Sequence, residues 1–143
     1  MAEIKLVVAC ALIDIDGRVL LQQRPEGKQH AGLWEFPGGK VDAGETTNDA
    51  IIRELKEELN IDVTAACLAP LCFSTIDSEI NTSNLGLEII HLLMPLFICR
   101  RWHGMVQPML GQNLKWVQAK KLKNYPMPPA DIPFIPNLID ILP

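Results

Sequence analysis

Residues 39–61 constrain this chain more than any other stretch. They hold four glutamates (Glu45, Glu54, Glu57 and Glu58) and Arg53 in a loop that enters one short helix. A helix turns about 100° per residue, so Glu54, Glu57 and Glu58 share an arc of roughly 100°, while Ile51, Ile52, Leu55 and Leu59 cluster away from them. One face is acid and the other is core. Thr46 is positioned as the N-cap of a capping box with Asp49, Glu45 precedes the helix, and the small Ala50 leaves room for a ligand one turn before Glu54. Three bare carboxylates this close repel and partly reprotonate, whereas a hard divalent cation with oxygen ligands relieves the repulsion. The pattern therefore predicts a magnesium–pyrophosphate site. On a helix taken alone, the same charges would be a solvated face with surface ion pairs of little energetic worth.

The surroundings of the helix favour the first reading. Gly38 and Gly39 precede it, and the run reads Gly-x5-Glu-x7-Arg-Glu-Leu-x-Glu-Glu-x-Asn-Ile. This resembles the Nudix box, Gly-x5-Glu-x7-Arg-Glu-U-x-Glu-Glu-x-Gly-U with U aliphatic, at every position but one. Asn60 stands where the family has glycine. The position follows the helix end, where backbones often turn left-handed, and asparagine is the next-best residue for that conformation.

Length and composition suit a small enzyme. With 143 residues and 48% hydrophobic residues, the chain reads as a single domain, 1–143, able to bury a real core. It has no apolar run of membrane-spanning length and no signal-like N-terminus, which predicts a cytoplasmic protein without a membrane partner. Cys10, Cys67, Cys72 and Cys99 lack metal-ligand spacing and read as reduced thiols. A net charge of −4 gives no general attraction to nucleic acid polymers.

A nearly continuous apolar run places a strand over residues 4–13, a hairpin-turn signal places a turn at 14–17, and 18–23 reads as the returning strand, giving a central β-hairpin. Further strands are expected at 67–73, 87–99 and 114–117, with 74–86 as a polar loop and a helix over 132–142 whose prolines sit in its first turn. One helix between strands and another at the end suggest an α+β fold, and the resemblance implies a Nudix-type α/β/α sandwich with a mixed sheet flanked by the box helix.

The resemblance extends beyond the box. Gln22-Gln23-Arg24-Pro25, Gly32-Leu33-Trp34-Glu35-Phe36-Pro37-Gly38-Gly39-Lys40, Leu114-Lys115-Trp116-Val117 and the stretch from Tyr125 to Pro133 look like the MutT branch. That branch implies cleavage of (deoxy)nucleoside triphosphates to monophosphate and pyrophosphate, with removal of 8-oxo-dGTP from the precursor pool as the leading activity. A sibling group resembling Pro129-Ala130-Asp131-Ile132-Pro133 prefers cytidine nucleotides and supplies the alternative. Fold alone would not choose between them.

By resemblance, Glu54, Glu57 and Glu58 with the Gly38 carbonyl hold Mg2+, for which Mn2+ substitutes, and Glu45 and Arg53 organise the cluster. Arg24 and Lys40 match phosphate-contacting positions; as plain residues they are surface charges. Glu54 is the favoured base for the attacking water. Relatives carry a further glutamate in a Glu-x-Gln loop, but here that loop reads Leu110-Gly111-Gln112, so fewer metal-binding groups or a substitute from Glu79 or Glu88 are expected. For the base, Phe36 stacks or is core, and Asp131 reads base donors or caps the last helix. His91, Trp34, Trp102 and Trp116 read as packing residues. A nucleoside triphosphate is the expected partner, on a monomer or weak dimer. A nucleotide-binding module with weak catalysis is the alternative of another class, favoured only by Leu110.

Overall fold

A computed structural model describes residues 2–28, 31–82 and 86–143, with side chains at all of these except 2, 79–82 and 86–88. Glu79 and Glu88, the suggested substitutes for the missing loop carboxylate, lie outside the described side chains.

Strand β1 (Ala2–Leu12) forms the spine because its apolar run supplies both faces of a sheet. Val8, Cys10 and Leu12 enter one core cluster, and Ala9, Ala11 and the following Ile13 enter another. Successive side chains point to opposite faces, so a nearly unbroken apolar run is what a strand covered on both sides requires. β2 (Val19–Gln23) repeats the pattern, with Leu20 in the first cluster and Val19 and Leu21 in the second.

Two further short strands follow, β3 (Trp34–Glu35) and β4 (Gly38–Lys40), and then helix α1 (Thr47–Leu59). β5 (Leu68–Thr82) and β6 (Gly86–Cys99) form a long antiparallel pair, and β7 (Asn113–Val117) and α2 (Phe134–Ile141) complete the described elements, apart from short 3-10 turns at Ala65–Cys67 and Ala119–Asn124. The first sheet has the order β4-β1-β6-β5 and is mixed, β1 running parallel to β6 and antiparallel to β4. The second, β3-β2-β7, is antiparallel. Ala50, Ile51, Leu55 and Leu59 of α1 cover one core cluster, and Phe134 and Leu138 of α2 belong to the other. The result is the expected α+β architecture, a sandwich with a helix on either side.

Two expectations are corrected. The turn at 14–17 forms, stapled by Asp14 Oδ1 accepting the Asp16 and Arg18 amides at 3.0 and 2.8 Å, but β1 and β2 do not make a central hairpin. Both edges of β1 are already taken by β4 and β6, so beyond an Ile13–Val19 bridge β2 passes into the second sheet. The stretch 74–86 is not a polar loop within its described residues, because β5 runs on to Thr82. β5 is an edge strand, and an edge strand with a solvated face tolerates polar side chains that composition alone reads as loop. Asp77, for example, sits opposite His91 with Oδ1 2.6 Å from Nδ1.

Cys10, Cys67, Cys72 and Cys99 are free thiols, and burial pushes Cys10 and Cys99 up from the ordinary thiol range. Among the described residues no helix is long and apolar enough to cross a membrane.

Thr46 caps α1 by accepting the Asp49 amide at 3.1 Å, and Asn60 ends it at φ 58° and ψ 36°, the sole non-glycine residue with positive φ among the described residues. Asn60→Ala should cost about 1 kcal/mol, the penalty of a Cβ in the left-handed region, while Asn60→Gly should leave stability nearly unchanged. Urea unfolding of the two variants beside the parent measures this.

Candidate active site

The site begins with two glycines. In the pairing of β4 with β1, Gly38 faces Ala9 and Gly39 faces Val8. A Cβ on Gly38 would collide with the Val8 carbonyl and Ala9 Cα, and one on Gly39 would collide with the Glu54 carboxylate. Their bare backbone lets β4 lie against β1 and lets α1 bring its acid face onto β4.

Arg53 ties that face together. Its Nε and Nη2 donate to Glu45 at 2.8 and 2.9 Å, Nη1 donates to Glu54 at 2.9 Å and to Glu57 at 3.3 Å, and Nη2 also reaches the Lys40 carbonyl at 3.0 Å. Asp42 Oδ2 lies 3.4 Å away. The fork geometry of guanidinium suits several carboxylates at once. The Arg53 bond, helped by the Asp42 amide donating at 2.8 Å, pulls Glu45 down to about 2. Glu45 in turn, ahead of Glu54, holds Arg53 above its usual range.

Glu58 is in the opposite situation. It is 7% exposed, and burial, offset in part by the Gln22 amide and reinforced by the adjacent Glu54 carboxylate, pushes its carboxyl up to about 8. Gln22 Nε2 donates to Glu58 Oε2 at 2.7 Å, and Gln112 Nε2 donates to the Glu58 carbonyl at 2.9 Å and to Gln22 Oε1 at 3.2 Å. Glu54 and Glu58 thus meet, whereas Glu57, with a side chain 57% exposed, rests on Arg53. Among the described residues no three carboxylates are gathered into a ready cation cage. The donor chemistry nonetheless fits a hard divalent cation: the groups are all oxygen, and a cation beside Glu54 and Glu58 would offset the charge that burial makes costly at Glu58.

Two cavities meet at Arg24 and Glu35, which are joined at 3.0 Å. One, of about 270 Å³, runs from this pair past Gln22, Lys28 and Gln112 to Glu58 and Leu110. The other, of about 240 Å³, is lined by Phe36, Gly38, Gly39, Leu92, Met94, Pro128, Ala130 and Asp131 among others. Phe36 is 3% exposed with its ring 5.9 Å from that of Phe134, a core residue that also forms the cavity wall. Lys40 is exposed on β4.

Asp131 is not a side-chain cap of α2: the cap position is Pro133, without a side-chain bond, and Asp131 contributes only its carbonyl, accepting the Phe134 amide at 3.1 Å. Its buried carboxyl accepts the Phe36 amide, and burial, with Glu35 adding, pushes it well above the usual range against the pull of Arg24 and that amide. Trp34 packs edge-on against Tyr125, and Trp102 stacks on Trp116, at 5.5 and 6.1 Å.

Sequence reading missed Gln22, Glu35 and Gln112. A weak local signal existed for Gln22, a polar residue continuing the buried run Val19-Leu20-Leu21. None existed for its pairing with Gln112, 90 positions away.

The description NUDIX domain belongs to a family model that matches residues 4–138. A CTP pyrophosphohydrolase of Escherichia coli (strain K12) is 38% identical over 128 residues, spanning 90% of this chain and 87% of that protein. An 8-oxo-dGTP diphosphatase of Haemophilus influenzae is 36% identical over 124 residues, with 87% and 83% covered. The crystal structure of a MutT NUDIX hydrolase from Burkholderia pseudomallei superposes with a TM-score of 0.73 at 27% identity, covering 94% of this chain and 98% of that one.

The Glu58 carboxyl has a consequence for stability. Its folded value of about 8 exceeds the ordinary 4.5, so between those pH values the metal-free folded form keeps a proton that the unfolded chain has released. Stability of the metal-free protein should therefore fall as pH rises from about 5 to about 8. Glu58→Gln should flatten the slope, and magnesium should stabilise the parent more at pH 8 than at pH 6. Urea midpoints across that range, with and without magnesium, test both.

Proposed function

Because this chain belongs to the NUDIX domain family, we propose that it hydrolyses nucleoside triphosphates to monophosphate and pyrophosphate with Mg2+, 8-oxo-dGTP being the leading substrate in nucleotide-pool sanitisation. The observation that carries the reading is the buried Asp131 carboxyl, in a cavity that shares Arg24 and Glu35 with the one leading to Glu58. Base and phosphates of one nucleotide thus have adjoining, chemically distinct walls.

When protonated, a carboxyl presents one donor beside one acceptor. The O6 and N7–H of 8-oxoguanine complement that pair, whereas ordinary guanine offers two acceptors at the same edge. Cytosine, with N3 beside its amino group, complements it too. The cytidine reading therefore stands second, favoured by the 38% identical CTP pyrophosphohydrolase.

On this reading Glu54, Glu57, Glu58 and the Gly38 carbonyl would hold the cation, which would screen the triphosphate and stabilise charge on the leaving group. Arg53, tied to Glu45, keeps Glu54 aimed at the phosphates, and Glu54 takes the proton of the attacking water. Arg24 and Lys40 contact phosphate oxygens, and Phe36 backs the base. The four free thiols suit a reducing cytosol, and the net charge of −4 suits a free nucleotide rather than a nucleic acid polymer.

A steady-state panel of 8-oxo-dGTP, dGTP, CTP and dCTP, scored by pyrophosphate release, decides the substrate; no turnover of any of them would overturn the hydrolase reading. Glu54→Gln and Glu57→Gln should each lower turnover by orders of magnitude with an unchanged circular dichroism spectrum, as expected for lost charge at a transition-state clamp.

Asp131→Ala should shift the ratio of kcat/KM between the best and poorest nucleotide by about tenfold or more, while Asp131→Asn, which keeps a donor and an acceptor, should preserve most of it. An unchanged ratio in Asp131→Ala with a lowered Tm would reduce Asp131 to a structural carboxyl.

A further inference from the structure

The two buried amides beside Glu58 form a chain with a single polarity, and its direction is set by the backbone. The Leu110 amide N–H donates to Gln112 Oε1 at 2.8 Å. A backbone N–H accepts nothing, so Gln112 must turn its carbonyl toward it, and its Nε2 then faces the other way. There Nε2 meets two acceptors, the Glu58 carbonyl and Gln22 Oε1. With Oε1 of Gln22 so engaged, Gln22 Nε2 is left to face Glu58 Oε2, at 2.7 Å. Gln22 and Gln112 are 5% and 6% exposed, and no buried side-chain polar atom among the described residues lacks a partner. Reversing either amide would set carbonyl against carbonyl or carbonyl against carboxylate, so the chain has one satisfied arrangement.

We infer that Gln22 and Gln112 are positioning residues for the cation-binding carboxylate: through them the backbone of the 110–112 loop holds Glu58 in one rotamer, with Oε2 engaged by Gln22. This rests on the metal-site reading proposed above and extends it to two residues outside the acid helix. It gives the 110–112 loop a task that does not need a carboxylate at Leu110. The loop acts through its amide N–H and through Gln112, while the Leu110 side chain, 61% exposed, forms a rim of the cavity. Outer partners that orient a ligating group commonly change metal affinity by about 10–100-fold when removed.

The test measures Mn2+ binding to the nucleotide-free protein by paramagnetic resonance, beside kcat, KM and the magnesium needed for half-maximal activity. Gln22→Leu and Gln112→Leu should each weaken Mn2+ binding by about tenfold or more and raise the magnesium requirement by a similar factor. KM for the nucleotide at saturating magnesium should change little. Because both side chains belong to one chain of bonds, the double variant should be no weaker than the weaker single one. Gln22→Met, closer to glutamine in shape, should behave as Gln22→Leu does, and it replaces that variant if leucine lowers the Tm. Parent-like Mn2+ affinity in Gln22→Met and Gln112→Leu, or losses that simply add, would overturn the inference. Glu54→Gln separates this from failure of the underlying reading. If Glu54→Gln also binds Mn2+ as the parent does, the metal site itself is misassigned; if it loses binding while the glutamine variants keep it, only the positioning role fails.

Discussion

The guanidinium of Arg53 holds the acid helix to the strand and loop before it, and the rest of the site hangs on that tie. Glu45, Asp42 and the Lys40 carbonyl come from the loop side, and Glu54 and Glu57 come from the helix. Without a cation among them, four carboxylates would face one another between the loop and the later turns of α1, and the segment 40–46 would have little reason to fold back along the helix. With it, the backbone of β4 is drawn against Glu54, which is where Gly39 has no room for a side chain. The same interaction explains an asymmetry between two of the acids: Glu45, bound to Arg53, stays ionised with ease, while Glu58, one turn beyond Glu54 and deeper, is left to burial.

Burial then sets the chemistry on both sides of the Arg24–Glu35 pair. Two carboxyls, Glu58 and Asp131, are each buried and each pushed upward for that reason first. Their partners differ. Glu58 is served by one amide donor, Gln22 Nε2, and sits beside another acid, a setting that a divalent cation would complete. Asp131 has one backbone amide and faces a cavity lined by Phe36, Leu92 and Met94 as well as by Arg24 and Glu35, a setting in which a neutral carboxyl can offer a donor and an acceptor together. One fold thus holds two buried acids in two different settings, separated by an arginine and a glutamate that line both cavities.

The architecture supplies the distances that such a division needs. β1 is covered on both faces, so α1 and α2 lie on opposite sides of it, each with its own core cluster. The acid helix reaches β4 at Gly39, where Glu54 lies against the backbone, and the Asp131 carboxyl reaches the chain just ahead of β4, at the Phe36 amide. Glycine at 38, where a Cβ would meet the β1 backbone, is what lets that strand run between them.

Much of this was legible in the residues themselves. The helix, its acid face, its Thr46 cap and its left-handed end at Asn60 follow from local rules, since helical periodicity, side-chain capping and positive φ involve neighbours within a few positions. A nearly unbroken apolar run likewise marked β1 as a strand, and the turn at 14–17 marked β2 as its successor. Which strand pairs with which was not local: the 14–17 turn looked like a hairpin, and only the occupation of both edges of β1 sends β2 into another sheet. The polar run in β5 became strand because an edge position tolerates it. The link from Leu110 through Gln112 and Gln22 to Glu58 joins positions up to 90 apart, and burial fractions at Glu58 and Asp131 depend on packing that no short window contains. Sequence by itself determined which groups carry charge and which backbone turns are possible, because those are properties of residues and their neighbours; only the tertiary structure decided which charges are desolvated and which partners they meet, because desolvation and pairing are properties of the assembled core.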